Sequence, residues 1–309
     1  MTIYTLPLSR RAVLQSAVAL QVLTSTAPKA QIAPRRVLWA ANVRTKPVIE
    51  RLAAAKAGRF THMSMFPIDY KRMLDAGLTD GAVKTMIRDS GIKVLVCDPF
   101  VQWVPNFELP IGYPADYSAF IAHNEAFIFR MAETLEAETV NCVEGLGKSY
   151  ELAALTDALG GFARRARANG LSTVFEFMPI SSIPDLETGW RLIQPLGSEN
   201  VRLTFDTWHY FRSKANPSLL ESIPADRIGE IQLADADIQL RGSNLTDDLL
   251  RFRKLPGDGM FDIKGVTDTL KRIGAYKSVG PEIFSDAMDA LDATEAGRKA
   301  GASLDRWTA

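Results

Sequence analysis

Glu144, Glu176, Asp206 and Glu282 each close a short apolar run: Thr-Val-Asn-Cys-Val, Ser-Thr-Val-Phe, Val-Arg-Leu-Thr-Phe and Val-Gly-Pro, respectively. A carboxylate at the end of a β-rich run is costly as mere core, because an unpaired buried charge must neutralise or find a cation. Several such charges at the same end of successive parallel strands would converge on one spot, which is how a barrel enzyme assembles its site. At least three of the four fit a single metal-binding constellation. Oxygen donors of this kind suit a hard divalent cation, Mn²⁺ or Mg²⁺, better than a thiolate-seeking metal.

The elements that must carry these acids follow from the pattern of apolar runs. Strands are expected over residues 37–43, 60–66, 93–98, 139–144, 173–177, 202–206, 230–234 and 278–283. Helical periodicity occupies 47–57, 80–90, 115–137, 150–169, 185–196, 216–223, 262–273 and 286–303. Eight strands, each followed by a helix, predict a closed parallel barrel of the (β/α)8 TIM type over residues 36–309. The runs are apolar throughout, as expected of parallel strands covered on their outer face. The longest irregular stretches, 101–114 and 235–260, both follow strands and should lie over the barrel mouth.

In this order the chain resembles the xylose isomerase-like TIM barrels, the sugar phosphate isomerase/epimerase family that also holds AP-site endonucleases. Phe175-Glu176-Phe177 matches the glutamate of the fifth strand. Phe205-Asp206-Thr207-Trp208-His209 matches the Asp-x-x-His pattern of the sixth, and Pro281-Glu282-Ile283-Phe284 the closing glutamate. Arg253, Pro256, Gly257 and Gly259 match the Arg-x-x-Pro-Gly-x-Gly segment before the last helix. The departure is Gln232, which stands where the seventh strand usually carries His; certain 3-dehydroshikimate dehydratases are similar in this respect. Loss of the imidazole is expected to favour Mn²⁺ or Mg²⁺ over Zn²⁺ or Co²⁺.

The resemblance implies one divalent cation held by Glu176, Asp206, Gln232 and Glu282, and chemistry that begins with removal of the proton α to a carbonyl. Glu176 and Glu282 would face opposite sides of the substrate, one taking the proton and the other returning it through an enediolate. That outcome is an isomerase or epimerase of a sugar or polyhydroxy-ketone. Departure of a β-hydroxyl from the same intermediate gives instead a dehydratase, a lyase of a cyclic hydroxy-ketone such as a dehydroshikimate- or inosose-like compound. A barrel that kept the fold and lost the metal, with Gln232 as a polar core residue, is the binding-protein alternative.

Around this core, His209 is expected just above the metal as a hydrogen-bond donor or general acid, with a loop-orienting role as the alternative. His62, placed near the end of the second strand, is a candidate for the opposite wall of the pocket, or a satisfied rim residue. Glu144 points to the same rim, where pairing with Lys148 or Arg44 competes. Arg241 and Arg253 lie in the loop after the seventh strand, where family members use an arginine on a substrate carboxylate, phosphate or hydroxyl; a planar fork suits that task. Surface pairing is the alternative for each. Trp103 and Trp208, with Phe100 and Phe107, would form an aromatic wall or simply the packing of a lid. The Pro256–Gly259 turn lacks the spacing of a phosphate-binding loop and reads as loop architecture.

Composition narrows the partners. Among 309 residues, Lys+Arg and Asp+Glu balance at 36 each, so no global field favours nucleic acid. Only 3 histidines are present, too few for the trinuclear zinc site that the resemblance implies for a repair endonuclease. A small-molecule substrate is expected, and the sequence leaves a homo-oligomer open. Cys97 and Cys142 sit in strand-like runs and read as small buried hydrophobes. Residues 1–35 are read as lying outside the barrel. Arg10 and Arg11 precede an uncharged, weakly hydrophobic stretch, too short and polar for a membrane span, resembling a twin-arginine signal. Export to the periplasm follows from that reading; a disordered tail on a cytoplasmic protein is the alternative.

Overall fold

The structure, a computed structural model, describes residues 33–308 apart from 110, 113 and 198–200. The proposed export signal therefore lies outside the described residues. Eight strands close in chain order into a barrel: β1 (Arg35–Leu38), β2 (His62–Met65), β3 (Lys93–Phe100), β4 (Thr139–Val143), β5 (Ser172–Glu176), β6 (Val201–Asp206), β7 (Ile228–Leu233) and β8 (Ser278–Pro281). Every neighbouring pair is parallel, including the closing pair of β8 with β1. The (β/α)8 expectation holds, and β1 begins at Arg35, one residue before the expected boundary.

Helices cover the outside of the cylinder because their apolar stripes match the outer faces of the strands. The helix Leu152–Ala168 shows the logic: Leu155, Leu159, Phe162, Ala163 and Ala166 repeat at helical spacing and are its buried face. Phe162 meets Phe100 of β3 with ring centroids 4.7 Å apart. Each such ring removed from water contributes about 1.5–3 kcal/mol. The chain leaves this helix at Asn169 and turns at Gly170, whose φ of +75° is a conformation glycine adopts without strain.

Several elements differ from expectation, each for a local reason. Residues 39–43 are not strand, because β1 stops at Leu38 and the chain tightens into a 3-10 helix, Ala40–Val43. The long helix expected over 115–137 is two, Ala115–Ile121 and Glu125–Leu135; the second is capped where Asn124 accepts from the Phe127 N–H. Short helices Pro67–Asp75 and Thr207–Arg212 stand in stretches assigned no element, and Leu245–Arg251 stands in the loop expected over 235–260. Among the described residues, no helix is long and apolar enough to cross a membrane.

Candidate metal and acid–base site

The site is built at the C-terminal ends of the later strands, where register brings the polar residues level. Asp206 of β6 pairs with Gln232 of β7, and Glu176 ends β5 beside Thr204. Asp206 also caps the helix Thr207–Arg212, its Oδ1 accepting from the His209 N–H at 2.9 Å. That cap is why an Asp-x-x-His spacing matters: three residues into the helix, the imidazole returns over the carboxylate that started it. His209 Nε2 lies 3.2 Å from Glu176 Oε1. Glu176, Asp206 and His209 each present a donor atom within 4.8 Å of the other two.

Arg253 ties the remaining acids to this group. Its backbone is held from two sides, by Arg253 N–H donation to Phe284 O and by paired bonds between Asp235 and Lys254. The guanidinium is enclosed by the Trp208 and Phe284 rings, 5.0 and 5.2 Å from their centroids. Nη1 donates to Asp206 Oδ2 at 2.8 Å and to Glu282 Oε2 at 3.1 Å, while Nη2 lies 3.5 Å from His209 Nε2. The other Glu282 oxygen accepts from Gln232 Nε2 at 3.1 Å. The Pro-Gly-x-Gly turn supports this loop: Asp235 accepts from the N–H groups of Ala236, Gly257 and Phe261. A Cβ on Gly259 would lie 2.3 Å from Asp235 Oδ1, so only glycine fits there.

Charge makes the cluster unusual. Asp98, Glu176, Asp206 and Glu282 are all buried, against the single guanidinium of Arg253. Burial pushes the Asp98 carboxyl up to about 8, with Glu176 adding to the shift. Glu282 is raised well above its ordinary value, again by burial and then by Glu176, with Arg253 opposing. For Asp206, burial is outweighed by the charges of Arg253 and His209 and by its hydrogen bonds, so its carboxyl falls below the ordinary value.

These residues fit a divalent cation. Because Gln232 Nε2 is taken up by Glu282, Oε1 is the atom left free, and it is buried with no partner. His209 Nδ1 is likewise unpartnered. Each carboxylate oxygen carries two lone pairs, so those already accepting one hydrogen bond can still donate to a metal. Buried carboxyls that resist ionising without a further counter-charge, beside an orphaned amide oxygen, are what a cation would suit.

The other expected site residues fall elsewhere. His62 requires correction: it is the first residue of β2, not near its end, and so lies at the N-terminal face of the barrel. Its neighbours are Thr61, whose hydroxyl lies 2.8 Å from Nδ1, and the charges of Arg35, Glu138 and Lys93. Arg253 is not a free fork for substrate, because Asp206 and Glu282 occupy it. Arg241 is exposed and pairs with Asp237. Glu144 accepts from the backbone N–H groups of Leu146 and Ser182, joining two mouth loops; Arg44 instead pairs with Asp289. Trp103 donates to Val143 O and packs its edge on Phe175, while Trp208 donates to Asp248, so both indoles are packing.

Two residues of the cluster escaped the sequence reading. Asp98 ends an apolar run of β3 just as the chosen acids end theirs, and the same rule could have found it. Asn141, in the middle of β4, donates to Asp98 and Glu176 and accepts from Thr204. Its only signal was a lone amide inside an otherwise apolar run, beside the more conspicuous Glu144.

A closed parallel barrel with acids gathered at its C-terminal mouth defines the class. Residues 52–307 match the xylose isomerase-like TIM barrel family, and the chain belongs to it. It is 24% identical over 244 residues to a 3-dehydroshikimate dehydratase of Pseudomonas aeruginosa, a match covering 78% of this chain and 37% of that protein. It is also 26% identical over 132 residues to an inosose isomerase of Bacillus velezensis, covering 42% of this chain and 46% of that one. The chain thus spans less than half the length of both relatives. A solved IolI protein with a bound zinc atom superposes with a TM-score of 0.76 at 17% identity, covering 89% of this chain and 98% of that one, which bears on the fold.

Proposed function

We propose that the chain is a divalent-metal-dependent lyase that dehydrates a cyclic hydroxy-ketone, starting with removal of the proton α to the carbonyl. The observation that carries this is the meeting of Glu176, Asp206 and His209, to which Arg253 joins Glu282, with the orphaned oxygen of Gln232 on the amide that Glu282 engages. Glu176, Asp206, Gln232 and Glu282 would hold the cation, with His209 beside them. Bound there, a cation acts as a Lewis acid toward the carbonyl oxygen and makes the adjacent C–H more acidic. Glu176 or Glu282 would take the proton, and His209 would give one to the departing β-hydroxyl, so that substrate yields an enone and water. Arg253 keeps Asp206 and Glu282 in place and offsets part of their repulsion. Similarity to the dehydratase of P. aeruginosa supports this outcome. Proton return to carbon, giving an isomerase or epimerase, is the second reading, favoured by similarity to the inosose isomerase.

The test is a panel of cyclic hydroxy-ketones and ketoses incubated with enzyme and Mn²⁺ in D₂O. A new ultraviolet-absorbing enone is the expected result; deuterium in recovered substrate without dehydration would move the assignment to isomerase. Glu282→Gln should abolish either activity, a loss of at least about 10³-fold, while leaving the circular dichroism spectrum unchanged. Absence of stoichiometric metal, with a melting temperature indifferent to chelator, would overturn both readings in favour of a binding barrel.

A further inference from the structure

We propose that Asn141 is a positioning residue: from inside the barrel it fixes which oxygen of Glu176 faces the metal and acid–base site. The inference rests on the metal-dependent reading above and goes beyond it. Asn141 is fully buried on β4. Its amide nitrogen donates one hydrogen to Asp98 Oδ1 at 2.8 Å and the other to Glu176 Oε2 at 2.6 Å. Its carbonyl oxygen accepts from the Thr204 hydroxyl at 2.9 Å. Thr204 stands on β6 and Asn141 on β4, so their bond skips β5 and must cross the interior of the cylinder.

Three consequences follow from these contacts. Both N–H groups are used and the oxygen is engaged, so the amide has one favourable orientation and cannot flip without losing all three bonds. Oε2 of Glu176 is tied to it, leaving Oε1 as the atom beside His209 Nε2 at 3.2 Å. Finally, the same NH₂ group bridges two acids on β3 and β5, giving each a donor where they would otherwise only repel. Thr204 is the lock, because its hydroxyl marks the oxygen end of the amide and turns the nitrogen end toward the acids.

Buried residues that orient a metal ligand typically alter affinity or activity 10–100-fold when changed. The experiment is Mn²⁺ titration calorimetry on the full chain, stripped of metal, for wild type, Asn141→Ala, Asn141→Asp, Thr204→Val and Thr204→Ser. Circular dichroism accompanies each titration, with kcat and KM on whichever hydroxy-ketone of the panel is turned over. Asn141→Ala should weaken Mn²⁺ binding by about 10-fold or more and lower kcat more than it raises KM. Asn141→Asp, nearly equal in volume, should be worse, since it turns a donor into a third carboxylate. Thr204→Val should weaken binding several-fold while Thr204→Ser, which keeps the hydroxyl, restores it; a purely volumetric role would favour the opposite order. Mn²⁺ affinity within twofold of wild type in folded Asn141→Ala overturns the proposal. Should that variant not fold, unchanged affinity in Thr204→Val does the same. A wild type that binds no Mn²⁺ removes the metal-dependent reading, and the positioning role falls with it.

Discussion

At the C-terminal mouth of the barrel, four buried carboxylates share one guanidinium; at the N-terminal floor, the acids and bases balance. A 470 Å³ cavity at the floor is lined by Arg35, Arg202 and Lys277 together with Glu138, Asp226 and Glu230. Arg35 pairs with Glu138 at 2.7 Å, and the buried Glu230 accepts from the Ser278 hydroxyl. Two ends of one cylinder thus bury acids in different circumstances. At the floor three basic side chains face three acids, whereas at the mouth Arg253 contacts Asp206 and Glu282, and burial with the Glu176 charge holds the Asp98 and Glu282 carboxyls up. The charge balance, not the presence of a cavity, is what separates the two ends.

Removing Arg253, the guanidinium that contacts Asp206 and Glu282, should have the largest effect. Arg253→Met leaves Asp206 and Glu282 buried without the guanidinium that contacts both and is expected to lower stability by about 3–5 kcal/mol in metal-free urea unfolding. A loss under about 1 kcal/mol would mean that the mouth is not charge-strained. At the floor, the effect should depend on pH. Burial pushes Glu230 up from 4.5 to about 7, so the folded state resists ionisation that the unfolded chain permits. Below pH 4.5 both states are protonated and nothing is lost; as pH climbs from about 4.5 to about 7, stability falls. Glu230→Gln should therefore be nearly neutral at pH 4 and stabilising at pH 8, on the order of 2–3 kcal/mol. Equal melting-temperature shifts at both pH values would contradict this. The smallest effect belongs to His62→Ala, which should leave kcat/KM within about twofold because the residue lies at the far end from the acids. A tenfold fall there would erase the distinction between floor and mouth.

The architecture was legible because period and order carry it: eight apolar runs separated by helical stripes leave few alternatives to a closed parallel barrel. The acids of the site were legible for a related reason, since Glu176, Asp206 and Glu282 each interrupt such a run at its end. What the sequence hid were relations between elements. His62 was misplaced although the run expected over 60–66 already set it nearer the beginning than the end; in the four-residue β2 it is the first residue. Arg253 and Arg241 look alike as arginines in one loop. Only the backbone bonds at Lys254 and Phe284 send the first inward and leave the second at the surface. Asn141 was invisible because its role depends on Asp98, Glu176 and Thr204 from three other strands.

The anchoring of Arg253 has a practical corollary for anyone recombining such barrels. The segment between Asp235 and Lys254 looks like an interchangeable surface excursion, yet its far end delivers a positive charge to the centre of the chemistry. A graft that moved the excursion without that terminal arginine would export a surface and leave behind a hole in the site. Donor and recipient would have to be cut after residue 253, not before it, for the transplanted loop to bring its own counter-charge.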